Sequence, residues 1–415
     1  MFGLFNKPEA KASRALKLEM QRLPDAEWTK FDYKAASEEG YQQNVIAFSA
    51  INRLATSVAN ITFQVRVGDQ VETAHPLIDL MKRPNPMQSG HAWWLTRVGY
   101  CMLSGNIYDE IVMSEDGKRI VELWPLRPDR MTISRGPSGL PRAYHYRNGG
   151  TLVNFPADTV TGESLINHTK LFNPLNDTYG LSPVSAAAYG IDQHNESANW
   201  IKSLLQNSAR PSGALVVDKD TSLSDEEFRR LQSETEEKYS GSRNAGRPML
   251  LEGGLEWKAM GLSPVDMEIL KAREMAAREV SLAFGVPPLL LNIPGDNTFA
   301  NYREARLGFY EDTVIPFVRY MLAELNHFFS TYYPDAVLEI AMDSIEAIAE
   351  KRMKQWAMAD ASDDITLNES RRLKGLPPLP DPLGGTLMSE IRAGTRGDSP
   401  SPELTKAEDE AYGRR

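Results

Sequence analysis

Cysteine is nearly absent from this chain: Cys101 stands alone among 415 residues. One thiol can close no intramolecular disulfide and no Cys-cluster zinc site, which fits a reducing compartment. Its neighbours Tyr100, Met102 and Leu103 mark it as buried and inert. Long apolar runs are missing too, since no stretch reaches the ~20 residues needed to cross a bilayer. The opening Met-Phe-Gly-Leu-Phe turns polar at once, so no secretion signal is expected, and the product is expected to be soluble and to stay in the cell that makes it. The Asn-x-Thr patterns at Asn60, Asn167 and Asn176 are accordingly set aside as glycosylation sites. Positive charge is in deficit, with 46 Lys and Arg against 56 Asp and Glu and a net charge of −10. Static grip on nucleic-acid phosphates draws on clustered Lys and Arg. That argues against a protein that clamps DNA, but not against one through which DNA passes.

Signatures of chemistry are also lacking. No Gly-x4-Gly-Lys-Ser/Thr loop is present, which argues against an ATP-driven motor, and there is neither a Gly-x-Gly-x-x-Gly turn nor a His-Glu-x-x-His helix. Gly136-Pro-Ser138-Gly139 lacks the spacing of a nucleophile elbow and reads as a surface turn. Asp192, His194 and Glu196 form a candidate metal or acid–base set. Neighbouring helical positions do not converge on one point, however, and the competing reading is a solvated face or a helix packed against an identical neighbour. Trp93, Trp94, Tyr100 and Tyr108 could stack on bases, but without interleaved cations they read as core. No metal and no cofactor is expected.

With 41% hydrophobic and 25% charged residues, the chain has the composition of a globular protein large enough for several modules. Residues 1–40 are charged and weakly patterned and are expected to form a flexible arm. Ala47, Ile51, Leu54, Ala55 and Val58 then recur at helical spacing, and Phe63, Val65 and Val67 alternate as a strand ending at Gly68-Asp69. A helix from Ser89 to Ser104 closes at Gly105. Strands follow over Ile107 to Met113 and Arg119 to Leu123, with hairpin candidates from Met131 to Phe155. Leu181-Ser182-Pro183 opens another helix, whose apolar stripe runs from Val184 to Leu205 before Arg210 to Gly213 break it. A strand near Ala214 to Val217 and a charged helix from Ser224 to Tyr239 are expected next.

Arg247 to Trp257 reads as strand, two-glycine turn and strand, and a second Ser-Pro start follows at Ser263-Pro264. Ser263 suits the cap, Pro264 the first helical position and Asp266 the positive end of the helix dipole. Gly285, Pro287 and Pro288 end that helix. Its inward stripe is Ile269, Ala272, Ala276, Val280 and Ala283, most of them small. Glu274 and Arg278 are spaced for a weak i,i+4 pair. A polar loop from Pro294 to Asn301 leads to a long helix over Tyr302 to Tyr332, with a kink expected at Pro316. Further helices cover Ile345 to Asp360 and begin at the Thr366 to Glu369 capping box. Residues 376–415 are expected to be a disordered tail.

From Asn44 to Leu379 these pieces resemble, in order, the portal proteins of tailed bacteriophages of the Hong Kong, long-tailed type. The resemblance rests on Val45 to Val67, His75-Pro-Leu, Arg83 to Pro86, Leu103 to Asn106, Leu123 to Pro128, Gly180 to Pro183, Ala209 to Gly213, Leu251 to Gly254 and Phe284 to Pro288.

That family implies an α+β protomer with an α/β wing (41–180), a first stem helix (181–210) and a small α/β clip (211–262). A second stem helix (263–286), a tunnel loop (287–301), a long wing helix with return segment (302–344) and crown helices (345–375) follow. It implies a homo-oligomeric ring, a dodecamer, at one capsid vertex of the virion, assembled in the host cytoplasm without a membrane. Double-stranded DNA would be packaged and ejected through it. The partners implied are the major capsid protein, the terminase large subunit and a head-completion or adaptor protein. Tunnel candidates are Asp296, Asn297, Thr298, Phe299 and Asn301, although Thr298-Phe299-Ala300-Asn301 departs from the family's more usual tyrosine-containing wording. Channel-facing stem candidates are Asp266, Glu268, Glu274 and Glu279. Terminase-facing clip candidates are Asp225, Glu226, Glu227, Arg229 and Arg230. The alternatives are a metal-dependent nucleic-acid enzyme of a mobile element, built on Asp192, His194 and Glu196, and an internal capsid scaffold. The hairpins and tryptophans argue against the scaffold.

Overall fold

The computed structural model describes residues 32–137, 139–206, 213–217, 226, 229–230, 233, 255–259, 264–294, 299–376 and 378–395. Order begins earlier than the charge pattern suggests. Asp32 caps helix α1 (Tyr33–Ala35) by accepting from the Ala35 amide, and the helix widens into a π-helical turn over Ala36–Gln42. Ala36 is buried in the main core, so the arm expected over residues 1–40 gives way to packed helix at its C-terminal end.

Helix α2 (Val45–Ala59) starts where Asn44 accepts from the amides of Ile46 and Ala47, and its stripe of Ala47, Ile51, Leu54 and Val58 is buried. Strand β1 (Phe63–Val67) turns at Gly68 into β2 (Gln70–Glu72). Helix α3 (Pro76–Lys82) is capped by the His75 side chain. Helix α4 (Gly90–Ser104) runs from its Ser89 cap to the left-handed Gly105. Strands β3 (Asn106–Met113) and β4 (Ile120–Leu126) form the expected hairpin. The meander β5 (Met131–Arg135), β6 (Pro141–Asn148) and β7 (Thr151–Pro156) follows, and β8 (Ile166–Lys170) returns to pair with β3.

The helix opened by Ser182-Pro183 is two helices, α5 (Pro183–Ala186) and α6 (Ala188–Gln206), because the backbone leaves helical geometry at Ala187 (φ −85°, ψ 0°). Strand β9 (Gly213–Val217) pairs antiparallel with β10 (Leu255–Ala259). The strand and glycine turn read at Arg247 to Gly254 lie outside the described residues. Helix α7 (Pro264–Ala283) then runs alongside α6.

The long helix is interrupted. Helix α8 (Phe299–Gly308) opens into a π-helical turn over Phe309–Val314 before α9 (Ile315–Phe329) resumes. Pro316 lacks an amide and crowds the carbonyl one turn behind it. The π turn relieves that crowding, and the Ile315 amide bonds the Tyr310 carbonyl, five residues back.

Strand β11 (Ala336–Ile340) crosses to β1 with Leu338 opposite Val65, completing the sheet β11-β1-β2. Helix α10 (Glu346–Ala361) lies beside α8, tied by exposed ion pairs from Arg306 to Glu346 and Lys351 to Glu311. The Thr366–Glu369 capping box starts α11 (Leu367–Leu373) as its spacing predicts. The tail is not wholly irregular: Leu379 is buried, and α12 (Met388–Thr395) caps this corner.

The fold is α+β, with one large core shared by α2, α4, α9 and the β11-β1-β2 sheet. Trp93, Trp94 and Tyr108 are core, as expected; Tyr100 is half-buried. Cys101 is buried, and burial pushes its thiol pKa up to about 12, which leaves it inert.

Candidate functional site

The candidates of the patch at Asp192 to Glu196 and of the second Ser-Pro helix lie on the paired rods α6 and α7, and Phe299 and Asn301 lie at the start of α8. The rods come close because Gly190 of α6 has no side chain. A Cβ there would stand 3.2 Å from Val280 Cγ2 and 3.6 Å from the Ala276 carbonyl oxygen. Ala276 and Val280 are fully buried within a single chain. The middle of the small-residue stripe of α7, Ala276 and Val280, therefore packs on α6 of the same protomer, while Ile269, Ala272 and Ala283 stay partly exposed.

The rods are fastened to the rest of the fold at two places. At the first, the motifs around Gly105 and Gly180 press backbone to backbone, and a Cβ on Gly180 would fall 2.0 Å from the Gly105 carbonyl oxygen. Asn106 Oδ1 accepts from the Gly180 amide at 2.8 Å, and Ser182 Oγ donates to the Met102 carbonyl at 3.0 Å. Two stretches that read separately as family motifs are thus one joint.

At the second place the polar middle of α6 meets the start of α2. Asn44 Nδ2 donates to Asn195 Oδ1 at 2.9 Å and lies 3.3 Å from His194 Nδ1, while Asn195 Nδ2 donates to the Glu39 carbonyl at 3.1 Å. The Asn44 amide has no acceptor lone pair, so His194 Nδ1 must accept and the ring is the neutral Nε2–H tautomer. Burial first, then Arg273, lowers the His194 pKa, which agrees. This corrects the metal reading of the patch and leaves its outer edge as the solvated face, with the inner edge packed on its own chain. His194 is buried within its own chain, Glu196 is exposed and accepts from Asn199 at 3.3 Å, and among the described residues no three acidic, His or Cys side chains gather to hold a metal.

On α7, Glu268, Glu274 and Glu279 are exposed, and Asp266 lies in the first turn. They do not form one row. At roughly 100° of turn per residue, Glu268 and Glu279 project about 20° apart, whereas Glu274 lies about 120° away from Glu268. Arg278, spaced to pair with Glu274, donates to the Pro294 carbonyl. Thr313 Oγ1 donates to the Gly285 carbonyl at 2.7 Å, which binds the end of α7 to the π-helical turn.

Asp296, Asn297 and Thr298 lie outside the described residues. Phe299 and Asn301 fall on the first turn of α8, and so belong to a helix start where the sequence reads as loop; Asn301 is exposed. Asp225 and Glu227 also lie outside the described residues, whereas Glu226, Arg229 and Arg230 are helical and exposed. A cleft of about 630 Å³ opens between the outer face of α2 and the α7–α8 connection, lined among others by Phe48, Arg53, Leu291, Tyr302 and Tyr310.

The sequence profile of the phage portal protein family matches residues 46–375. An uncharacterized protein of Rickettsia bellii is 40% identical, with the alignment covering 83% of this chain and 89% of that one. The portal protein of Enterobacteria phage HK97 is 22% identical over 83% of this chain and 81% of its own. Among solved structures, a chain from the neck of an empty gene transfer agent particle, computed with C6 symmetry, superposes with a TM-score of 0.69 at 40% identity, covering 85% of this chain and 95% of that one.

Proposed function

Because the chain belongs to the phage portal protein family, we propose that it forms the ring-shaped connector at one vertex of a phage-derived particle. The observation that carries this reading is the 40% identity to a gene transfer agent neck chain, sustained over 85% of this chain with a matching fold. In the proposed assembly the α6–α7 rods line a central channel, twelve copies close the ring, and the major capsid protein surrounds it. The segment between the rods, which includes β9, β10 and the exposed Glu226, Arg229 and Arg230, faces the terminase large subunit during filling and a head-completion or adaptor protein afterwards.

Passage of double-stranded DNA needs a wall that does not hold it. A lining rich in cations would bind many phosphates and oppose movement. The net charge of −10 and the exposed Glu268, Glu274 and Glu279 on α7 suit a sliding polyanion better than a fixed one. The role is structural: the rods are held by apolar packing and by side-chain amides, and His194 serves as an anchor.

Negative-stain imaging of the purified protein tests the reading. Annular particles with a central hole are expected, and particles assembled without this chain are expected not to fill. A protein that stays monomeric at high concentration, together with normal filling in its absence, would overturn it.

A further inference from the structure

The loop between β8 and α5 carries two fully displayed apolar side chains: Phe172 is 84% exposed and Leu175 94%. It is not a slack loop. Asn173 Oδ1 accepts from the Leu175 amide at 3.0 Å, Asn176 Oδ1 accepts from the amides of Thr178 and Tyr179 at 2.8 and 3.0 Å, and Lys170 Nζ donates to the Asp177 carbonyl. Tyr179 OH in turn accepts from the Ile133 amide at 3.0 Å, pinning the loop to the β5-β6-β7 meander. A loop whose backbone is already ordered loses little conformational freedom on docking, and two large apolar side chains displayed together on it form a candidate contact surface.

The cleft beside α2 offers apolar and aromatic surface at Phe48, Leu291, Tyr302 and Tyr310, set among Ser49, Asn52, Thr56, Asn60 and Asn292, with Phe48 itself 46% exposed. Arg53 at its edge donates to Tyr302 OH at 3.1 Å and has no carboxylate partner among the described residues. On the knob, the Asp177 side chain is 94% exposed and makes a long ion pair of 3.8 Å with Arg135. The two features also lie on different flanks. The core stripe of α2 packs on α4, and the cleft residues occupy the opposite side of α2. The β4-β3-β8 sheet, with the knob at its β8 end, stands beyond α4. A closed ring needs this kind of head-to-tail pair of unlike patches, because a single self-complementary patch closes only a two-fold pair.

We propose that each copy of this chain seats its Phe172–Leu175 knob in the α2–α8 cleft of the next copy, with Asp177 meeting Arg53 at the rim. This inference rests on the ring reading above and names the contact that closes the ring.

Two experiments test it on the full chain. Cysteines placed by Leu175→Cys and Phe48→Cys, with Cys101 buried and unreactive, should cross-link under mild oxidation into a ladder of covalent oligomers. Phe172→Ser with Leu175→Ser should weaken association between copies about a hundredfold while leaving the circular-dichroism melt of the protomer unchanged. Asp177→Arg and Arg53→Asp should each weaken it, and the doubly reversed chain should recover. If the wild type forms rings and these variants form them equally well, with no ladder from the cysteine pair, the knob-in-cleft contact is wrong and the ring reading stands. A wild type that forms no ring at all overturns both.

Discussion

Arg97 Nε on α4 lies 3.0 Å from Asp109 Oδ2 on β3, and both side chains are wholly excluded from solvent. The guanidinium is packed 4.4 Å from the centre of the Trp93 ring and 4.9 Å from that of Trp94, and Asn167 approaches the carboxylate at 3.4 Å. Burial acts against both charges, lowering the arginine pKa and raising the aspartate pKa, and each partner offsets part of that penalty for the other. The pair therefore joins helix to sheet in a way that is costly to break from one side.

Removing one member leaves the other charge without compensation in the core. Asp109→Ala should cost about 3–5 kcal/mol, whereas replacing both residues with apolar side chains of similar size, Arg97→Met with Asp109→Leu, should cost much less. Chemical denaturation of the three proteins checks this. A single variant no worse than the double would show that the pair is not coupled.

The Gly105–Gly180 joint makes a sharper prediction. A methyl group at position 180 would sit 2.0 Å from a backbone carbonyl oxygen, which has no rotamer to move into. Gly180→Ala should destabilise the protomer by more than about 3 kcal/mol, while Gly99→Ala, where a Cβ meets nothing within 4 Å, should be neutral or slightly stabilising in its helix. Thermal unfolding of the two variants side by side reads the difference.

Acid stability should depend on His168. Burial, then the nearby Lys170, lowers its pKa from 6.5 to about 3, and the ring stacks on Tyr108 at 4.4 Å. The unfolded chain takes up this proton near the ordinary value and the folded chain does not, so the folded state binds fewer protons between the two. The contribution is complete above the unfolded value and is lost as pH falls from 6.5 towards about 3, with a limiting slope of about 1.4 kcal/mol per pH unit. His168→Gln should flatten the fall in unfolding free energy measured between neutral and mildly acidic pH; an unchanged slope would refute the assignment.

What the sequence could and could not say follows from the range of the forces involved. Caps and breakers act within a turn, so Ser89, Gly105, Ser182 and the Thr366–Glu369 box mark helix ends where the structure has them. Strand β11 escaped because its exposed Val337 is as apolar as its buried Leu338, which erases the alternation. The partners of Asn44 and Arg97 were illegible for another reason: each lies on an element distant in sequence, and a polar residue on a helix reads the same whether it meets water or a buried acceptor. The same blindness hid the joint between Gly105 and Gly180, although each glycine stood inside a recognisable motif. The π-helical turn is a near miss, since Pro316 announced a kink and the relief was placed in the preceding turn.

On the proposed channel reading, the α7 acids offer a functional prediction that separates channel wall from outer face. Glu268 and Glu279 project from nearly the same side of α7, and Glu274 projects about 120° away from Glu268. In a ring built from paired rods, directions about 120° apart do not both look squarely into the channel. Reversing a channel-facing charge in every subunit would place a belt of cations against the moving phosphates and retard them. Glu268→Lys and Glu279→Lys should therefore behave alike, and Glu274→Lys should behave differently: one set slows filling of the particle in a salt-dependent manner, and the other leaves it near the wild-type rate. All three are exposed, so ring formation should persist in each variant and be checked by imaging before filling is measured. If Glu268→Lys and Glu279→Lys diverge from one another while Glu274→Lys matches one of them, the direction of the rods relative to the channel is not the one α7 implies.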